Sequence, residues 1–298
     1  MKKFALFFLS FLLFFAGGFF LARFGFHLPN RLTQKETSFT RFSPAAYPIE
    51  NHPFAIVIVG RNNGAFLEKT LKSVFSQKYE NFRLIYIDDA SNDGSFEMAR
   101  DLVLESGFLT QVTLVQNGEI LGPVANLFRA VEVCEEEEIV VVLNGEDRLA
   151  HEWVLDRLNR YYANPDLWLT FGQYVEYPTF KEGDCRPLEG NEFRSAPFTA
   201  SHLKTFYAAL FKQLREYDLT YQGKYVSAAA EMTYMIPLLE MAKDHSQFLP
   251  EILYLSLSQP EENQELQAKI EKHIRTQDPY RPLTALFQIY EIEPEAVP

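Results

Sequence analysis

The chain has 298 residues, 47% of them hydrophobic, and a formal net charge of -12. That is enough apolar material to bury a sizeable core in one large domain or a domain plus an appendage, and the negative charge argues against a polyanion such as nucleic acid held by general electrostatics. The two cysteines, Cys134 and Cys185, neither require nor exclude a disulfide.

Met1-Lys2-Lys3 precedes an uncharged apolar run from Phe4 to about Ala22, close to the roughly 20 residues that span a bilayer. The expectation is a signal-anchor transmembrane helix over 1–23, with a cleaved signal peptide and secretion as the alternative. Lys2 and Lys3 on one side oppose Arg23, Arg31, Lys35 and Arg41 on the other. The charge bias leans toward a cytoplasmic catalytic part and leaves the side of the membrane open. Residues 24–53, with four prolines, read as a linker.

From Phe54 the pattern changes. Phe54 to Val59 is a short apolar, β-branched run of the kind buried on both faces of a parallel sheet. Leu67, Leu71, Val74 and Phe75 then recur on one helical face, Leu84 to Ile87 makes the next strand, and Ala90 to Gly94 is turn-forming. Phe96, Ala99, Leu102 and Val103 predict a second helix, and Val112 to Val115 a third strand. Val124, Leu127, Val131 and Cys134 predict a third helix starting after Gly122-Pro123, with Cys134 as a buried apolar residue. The run Ile139 to Leu143 is a further buried strand. This alternation predicts an α/β fold with a mixed, mostly parallel, Rossmann-like sheet flanked by helices.

Polar residues collect where two of these strands end. In open α/β sheets ligands bind beyond the carboxyl ends of the strands, and there stand Asp88-Asp89 and Asn144-Gly145-Glu146-Asp147. A single aspartate after a strand commonly caps the next helix. A pair leaves one carboxylate free to face a cleft, and three oxygen-bearing side chains within four residues suit a hard cation such as Mg²⁺ or Mn²⁺ together with a ligand's phosphates.

These motifs in this order, the SVFSQKYENF helix end, the IDDASNDGS loop and LNGEDRL, resemble the inverting glycosyltransferases of family 2 with the GT-A fold. The resemblance spans about Phe54 to Tyr162, and more weakly continues through WLTFGQYVEYP, SHLKTFYAALF and MIPLLEMAKDH. It implies a nucleotide-sugar-binding half over 54–163, a helical acceptor-side half over 164–258, and a peripheral helix and tail over 259–298. By the same resemblance, Asp89 with Asp88 beside it would contact the base of a nucleotide sugar, and Gly60, Arg61 and Asn62 would flank the nucleotide. Asn144 would lie near the ribose, and Glu146 and Asp147 would hold the metal. Asn144 and Glu146 depart from the family's Asp-x-Asp-Asp pattern, which lowers the charge by one and moves a ligand outward by a methylene.

An acceptor hydroxyl attacking with inversion must lose a proton to a general base. Glu231, an isolated carboxylate in SAAAEMTYMIPLLEMA, stands where similar sequences carry an aspartate; Glu240 is the second choice. Arg186, Arg194, His202 and Lys204 are candidates to meet an anionic leaving group or the acceptor. Tyr161, Tyr162, Trp168, Phe171 and Tyr174 read as core with a sugar-stacking platform as the alternative. Leu266, Ile270 and Ile274 predict a helix in the tail. The implied protein is a membrane-tethered, hexosyltransferase-like enzyme moving a sugar from a nucleotide donor to a glycan, lipid or protein hydroxyl. Its rivals are a non-catalytic nucleotide- or carbohydrate-binding protein with an eroded metal motif, and a sugar nucleotidyltransferase.

Overall fold

Strand β1 (Phe54–Gly60) is buried along nearly its whole length, as an apolar run flanked by neighbours on both edges must be. The computed structural model describes residues 48–188, 190, 192–257 and 264–287. The expected membrane helix and most of the linker lie outside the described residues, and among the described residues no helix is long and apolar enough to cross a membrane.

Helix α1 (Gly64–Phe75) buries Leu67, Thr70, Leu71 and Val74 and delivers the chain to β2 (Phe82–Asp88). Helix α2 (Ser95–Ser106) leads to β3 (Val112–Gln116), and α3 (Pro123–Glu132) to β4 (Ile139–Asn144). Gly122 precedes α3 with φ +86° and Pro123 opens its first turn; only glycine enters that backbone region freely, and proline's fixed φ suits the first helical position. The strands β1, β2, β3 and β4 pair in parallel in the order β3-β2-β1-β4. The chain therefore steps outward from β1 to β3, then returns past β1 to β4. Right-handed crossovers put α1 and α2 together on one face and α3 on the other, and α1 indeed packs on α2 while α3 does not.

The second half extends the same sheet. After the short β5 (Arg148–Leu149) and α4 (Val154–Tyr162) come β6 (Leu169–Tyr177) and β7 (Lys204–Tyr207). The short α5 (Ala208–Phe211) and a hairpin of β8 (Thr220–Tyr221) and β9 (Lys224–Tyr225) precede α6 (Ala230–Ala242). Strand β10 (Ser246–Leu257) and α7 (Gln264–Thr276) close the described chain. The full order is β3-β2-β1-β4-β7-β6-β10-β5, with β7 antiparallel to β4 and β6, and β10 parallel to β6. The acceptor-side half thus supplies helix α6 and also three strands, β6, β7 and β10.

The core predictions can be placed directly. Cys134, Tyr162, Trp168 and Phe171 are buried, with Tyr161 and Tyr174 packed partly buried against the same core. In the tail, Ile270 and Ile274 are the buried residues of α7.

Candidate active site

Three strand tips lie side by side. Gly60 pairs with Asp88, and Val59 with Asn144, so the loops after β1, β2 and β4 leave the sheet at one level. The switch of direction between β1 and β4 opens the crevice where such sheets take ligands.

The loops are fastened to one another. Asn63, buried, donates its amide to the Gly145 carbonyl at 2.7 Å, and the Thr70 hydroxyl donates to the same oxygen at 3.1 Å. A side chain at Gly145 would collide with the Asn63 amide and come within 2.7 Å of Gly60 Cα, so the close approach of the β1 and β4 tips requires glycine there. Asn62 donates its backbone N–H to the Ser91 hydroxyl at 2.9 Å and accepts from the Asn92 N–H at 3.0 Å. Gly64 donates to Asp93 at 3.0 Å, and Asp93 also accepts from the Ser95 N–H, one of the free amides that begin α2. Capping thus falls to Asp93, which frees Asp88 and Asp89 from that task. Arg61 is exposed at the mouth of the first loop.

Asp88 is fully buried; Oδ2 accepts from the Ser91 N–H at 3.0 Å, while Oδ1 has no protein partner. A buried polar oxygen without a partner is rare in a protein interior. Asp89 accepts from the Asn117 amide and from the N–H groups of Leu121 and Gly122, all within 2.9 Å. Burial pushes its carboxyl up, and these hydrogen bonds more than reverse that, leaving it below the usual range. Asn126 adds to these bonds, so Asp89 shapes the loop 117–122 and the start of α3.

At the β4 tip the two expected metal ligands behave differently. Asp147 is buried, and its carboxylate accepts from the Asn144 amide at 2.9 Å, the Tyr254 hydroxyl at 2.6 Å and the Leu257 N–H at 2.6 Å. These bonds tie Asp147, one of the two expected metal ligands, to strand β10. Asn144, expected near the ribose, donates its amide to Asp147, and its backbone N–H donates to the Tyr254 hydroxyl at 3.3 Å. An aspartate at 144 would face a second buried anion; the amide turns that repulsion into a hydrogen bond. Glu146 is half-buried, and burial first, then the Asp147 charge, pushes its carboxyl up to about 7.

Among the described residues no group of three or more His, Cys, Asp and Glu side chains is gathered to hold a metal. The site does fit an ion of another kind. Glu146 is a hard oxygen donor whose ionised form is disfavoured by burial and by a neighbouring anion, the arrangement that a divalent cation relieves. Mg²⁺ is commonly bound through one or two carboxylates with substrate phosphates completing its shell. Glu146 is the residue that would hold it.

Across the crevice, Glu231 sits in the first turn of α6, where the helix dipole favours an anion. Lys204 and His202 both reach it, and Ser201 donates to Oε2 at 3.3 Å. Burial pushes the Glu231 carboxyl up, and His202, Lys204 and Ser201 outweigh it to leave it at about 2. His202 is driven the other way by burial, to about 4, so it is neutral at physiological pH. Its ring stacks on Tyr254 at 4.3 Å, and Tyr254 is the residue that binds Asp147. The β4 tip and Glu231 belong to one connected site.

The remaining candidates separate. Lys204 is 1% exposed, so it and His202 act on Glu231 and do not stand open to a leaving group. Arg194 pairs with Glu240 at 2.6 Å and bonds the Ile274 carbonyl, and Glu240 also accepts from the Tyr280 N–H at 3.0 Å. Arg194 and Glu240 therefore dock the C-terminal segment onto α6, and neither is placed as a leaving-group contact or a base. Arg186 is exposed and pairs with Asp184. The sequence places Asn63 in the loop expected to flank the nucleotide, but its partner lies 82 positions away; Tyr254 carried no motif around it.

The mixed, mostly parallel eight-stranded sheet with flanking helices and polar strand tips defines an α/β protein of the GT-A architecture. The chain belongs to glycosyl transferase family 2, whose family model matches residues 55–216, more than half of its length. It is similar in fold to S. aureus TarS 1-349 in complex with UDP-GlcNAc, with TM-score 0.53 and 14% identity over 70% of this chain and 60% of that one. It is likewise similar to the mannosyltransferase PcManGT from Pyrobaculum calidifontis in complex with GDP-Man and Mn²⁺, with TM-score 0.52 and 18% identity over 71% of this chain and 59% of that one. The chain thus spans about 60% of the length of these relatives. No curated protein matches it.

Proposed function

We propose that the protein transfers a sugar from a nucleotide-sugar donor to an acceptor hydroxyl with inversion at the anomeric carbon. The observation that carries this reading is the single network joining the β4 tip, through Asp147, Tyr254 and His202, to Glu231. It ties a donor-side loop to a carboxylate through a chain of contacting side chains. The nucleotide base lies against the loop of Asp88 and Asp89, where the buried Asp88 Oδ1 has no protein partner. Gly60, Arg61 and Asn62 flank the nucleotide, with the Arg61 cation near the diphosphate.

Glu146 would hold a divalent cation, Mn²⁺ or Mg²⁺, which would supply neutralisation of charge on the leaving diphosphate. Glu231 accepts the acceptor's proton as the hydroxyl attacks from the face opposite the leaving group. The acceptor is a glycan, lipid or protein hydroxyl, and an N-terminal membrane helix would keep the enzyme beside a membrane-bound acceptor.

A panel of nucleotide sugars incubated with the purified protein tests the reading. Release of a nucleoside diphosphate from one donor is the expected result. Pyrophosphate release would instead mark a nucleotidyltransferase, and donor binding without turnover a binding protein that kept the fold.

A further inference from the structure

Glu231 does not stand alone at the head of α6. The Lys204 ammonium donates to its Oε1 and lies 3.0 Å from Nδ1 of His202, whose Nε2 is 3.3 Å from the same carboxylate oxygen. These partners select a tautomer: Nδ1 accepts from the ammonium, so the ring hydrogen sits on Nε2 and points at Glu231. Oε1 is therefore held by two donors. Oε2 receives only the Ser201 hydroxyl at 3.3 Å, and the side chain keeps 31% of its exposure. Oε2 is the oxygen offered to the crevice.

The holder is itself rigid. Lys204 lies on β7, paired to β4 on one edge and β6 on the other. The His202 ring is clamped between the face of Tyr254 and the edge of Tyr174, 5.3 Å away. A lysine so deeply buried is costly unless its charge is matched, and the carboxylate that its ammonium bonds is Glu231.

We propose that Lys204 is a positioning residue for the transfer reaction, holding Glu231 ionised and turning its Oε2 toward the acceptor hydroxyl. The inference rests on the reading of Glu231 as the base. Lys204 touches neither substrate and acts through that carboxylate. The other titratable groups facing Glu231 are His202, Cys185, Tyr174, Tyr234 and Tyr254. His202 loses its charge well below neutrality, and burial pushes the cysteine and the tyrosines up. At neutral pH the ammonium is therefore the one cation that balances the base.

The test uses the full chain with its active donor. Carboxyl ¹³C NMR, with the Glu231 signal assigned by its loss in Glu231→Gln, should find that carboxyl ionised at pH 4 in the wild type. In Lys204→Met it should titrate within or above the ordinary carboxylate range, kcat should fall about 100-fold, and donor affinity should stay within about twofold of wild type. A wild-type Glu231 that titrates at the ordinary carboxylate value overturns the inference, and this measurement stands even where Lys204→Met does not fold. Wild-type kcat in a folded Lys204→Met, beside an inactive Glu231→Gln, overturns this inference alone. A fully active Glu231→Gln overturns the base reading and this inference with it.

Discussion

Glu146 carries an unusual charge balance for a surface-facing acid, with Asp147 beside it and no basic side chain bonded to it among the described residues. Its carboxyl is raised from an ordinary value of 4.5 to about 7. The sign follows from linkage. A folded value above the unfolded one means that the folded state binds the proton more tightly, so ionisation penalises folding. The penalty is absent below the unfolded value, grows between 4.5 and about 7, and is constant above. Glu146→Gln should therefore stabilise the metal-free protein at pH 8, by up to about 3 kcal/mol, and leave it unchanged at pH 4, as thermal melts at the two values would report. The same variant should weaken Mn²⁺-dependent nucleotide binding, the expected conflict between stability and function at a charged site. Asn144 tells the complementary story. Restoring the family's acid with Asn144→Asp removes the hydrogen bond to Asp147 and sets a half-buried carboxylate against a buried one, which should cost about 1–3 kcal/mol in denaturant unfolding. A variant as stable as wild type would show that Asp147 has other support.

The elements of the first half were legible because each obeys a local rule. Alternating short apolar runs and helical stripes announced β1 to β4 and α1 to α3, and the tips of β2 and β4 announced themselves by polar residues after apolar ones. Strand β10 was not legible. Pro250 and Glu251 interrupt its apolar pattern, and the structure shows register shifts against β6 between Leu249 and Tyr254. Its pairing with β6 joins residues far apart in sequence, and no local period reports that. The contacts of Asp147, Arg194 and Lys204 were not legible for the same reason: a charged residue's type is local, but its partners, Tyr254, Glu240 and Glu231, are not. The clamp between elements yields its own prediction. Gly145→Ala should push the β1 and β4 loops apart through Asn63 and Gly60, costing about 1–3 kcal/mol and weakening nucleotide binding measured by calorimetry. Unaltered stability and affinity would show that the loops move apart freely.

For the molecule as a whole, one sheet supports both walls of the crevice. Strands β1, β2 and β4 carry the donor-side loops, while β7 and β10 carry Lys204 and Tyr254, which tie Glu231 to the same sheet. Groups tied to one sheet in this way keep a fixed spacing, as the proposed in-line transfer requires. The Tyr254 and His202 link joins the β4 tip to Glu231. The most direct measurement is release of nucleoside diphosphate under single turnover, with wild type and Glu231→Gln compared on the same donor and donor affinity taken on the same samples. The structure predicts that Glu231→Gln binds the donor as wild type does and releases diphosphate at least about 100-fold more slowly. Release at the wild-type rate would contradict it.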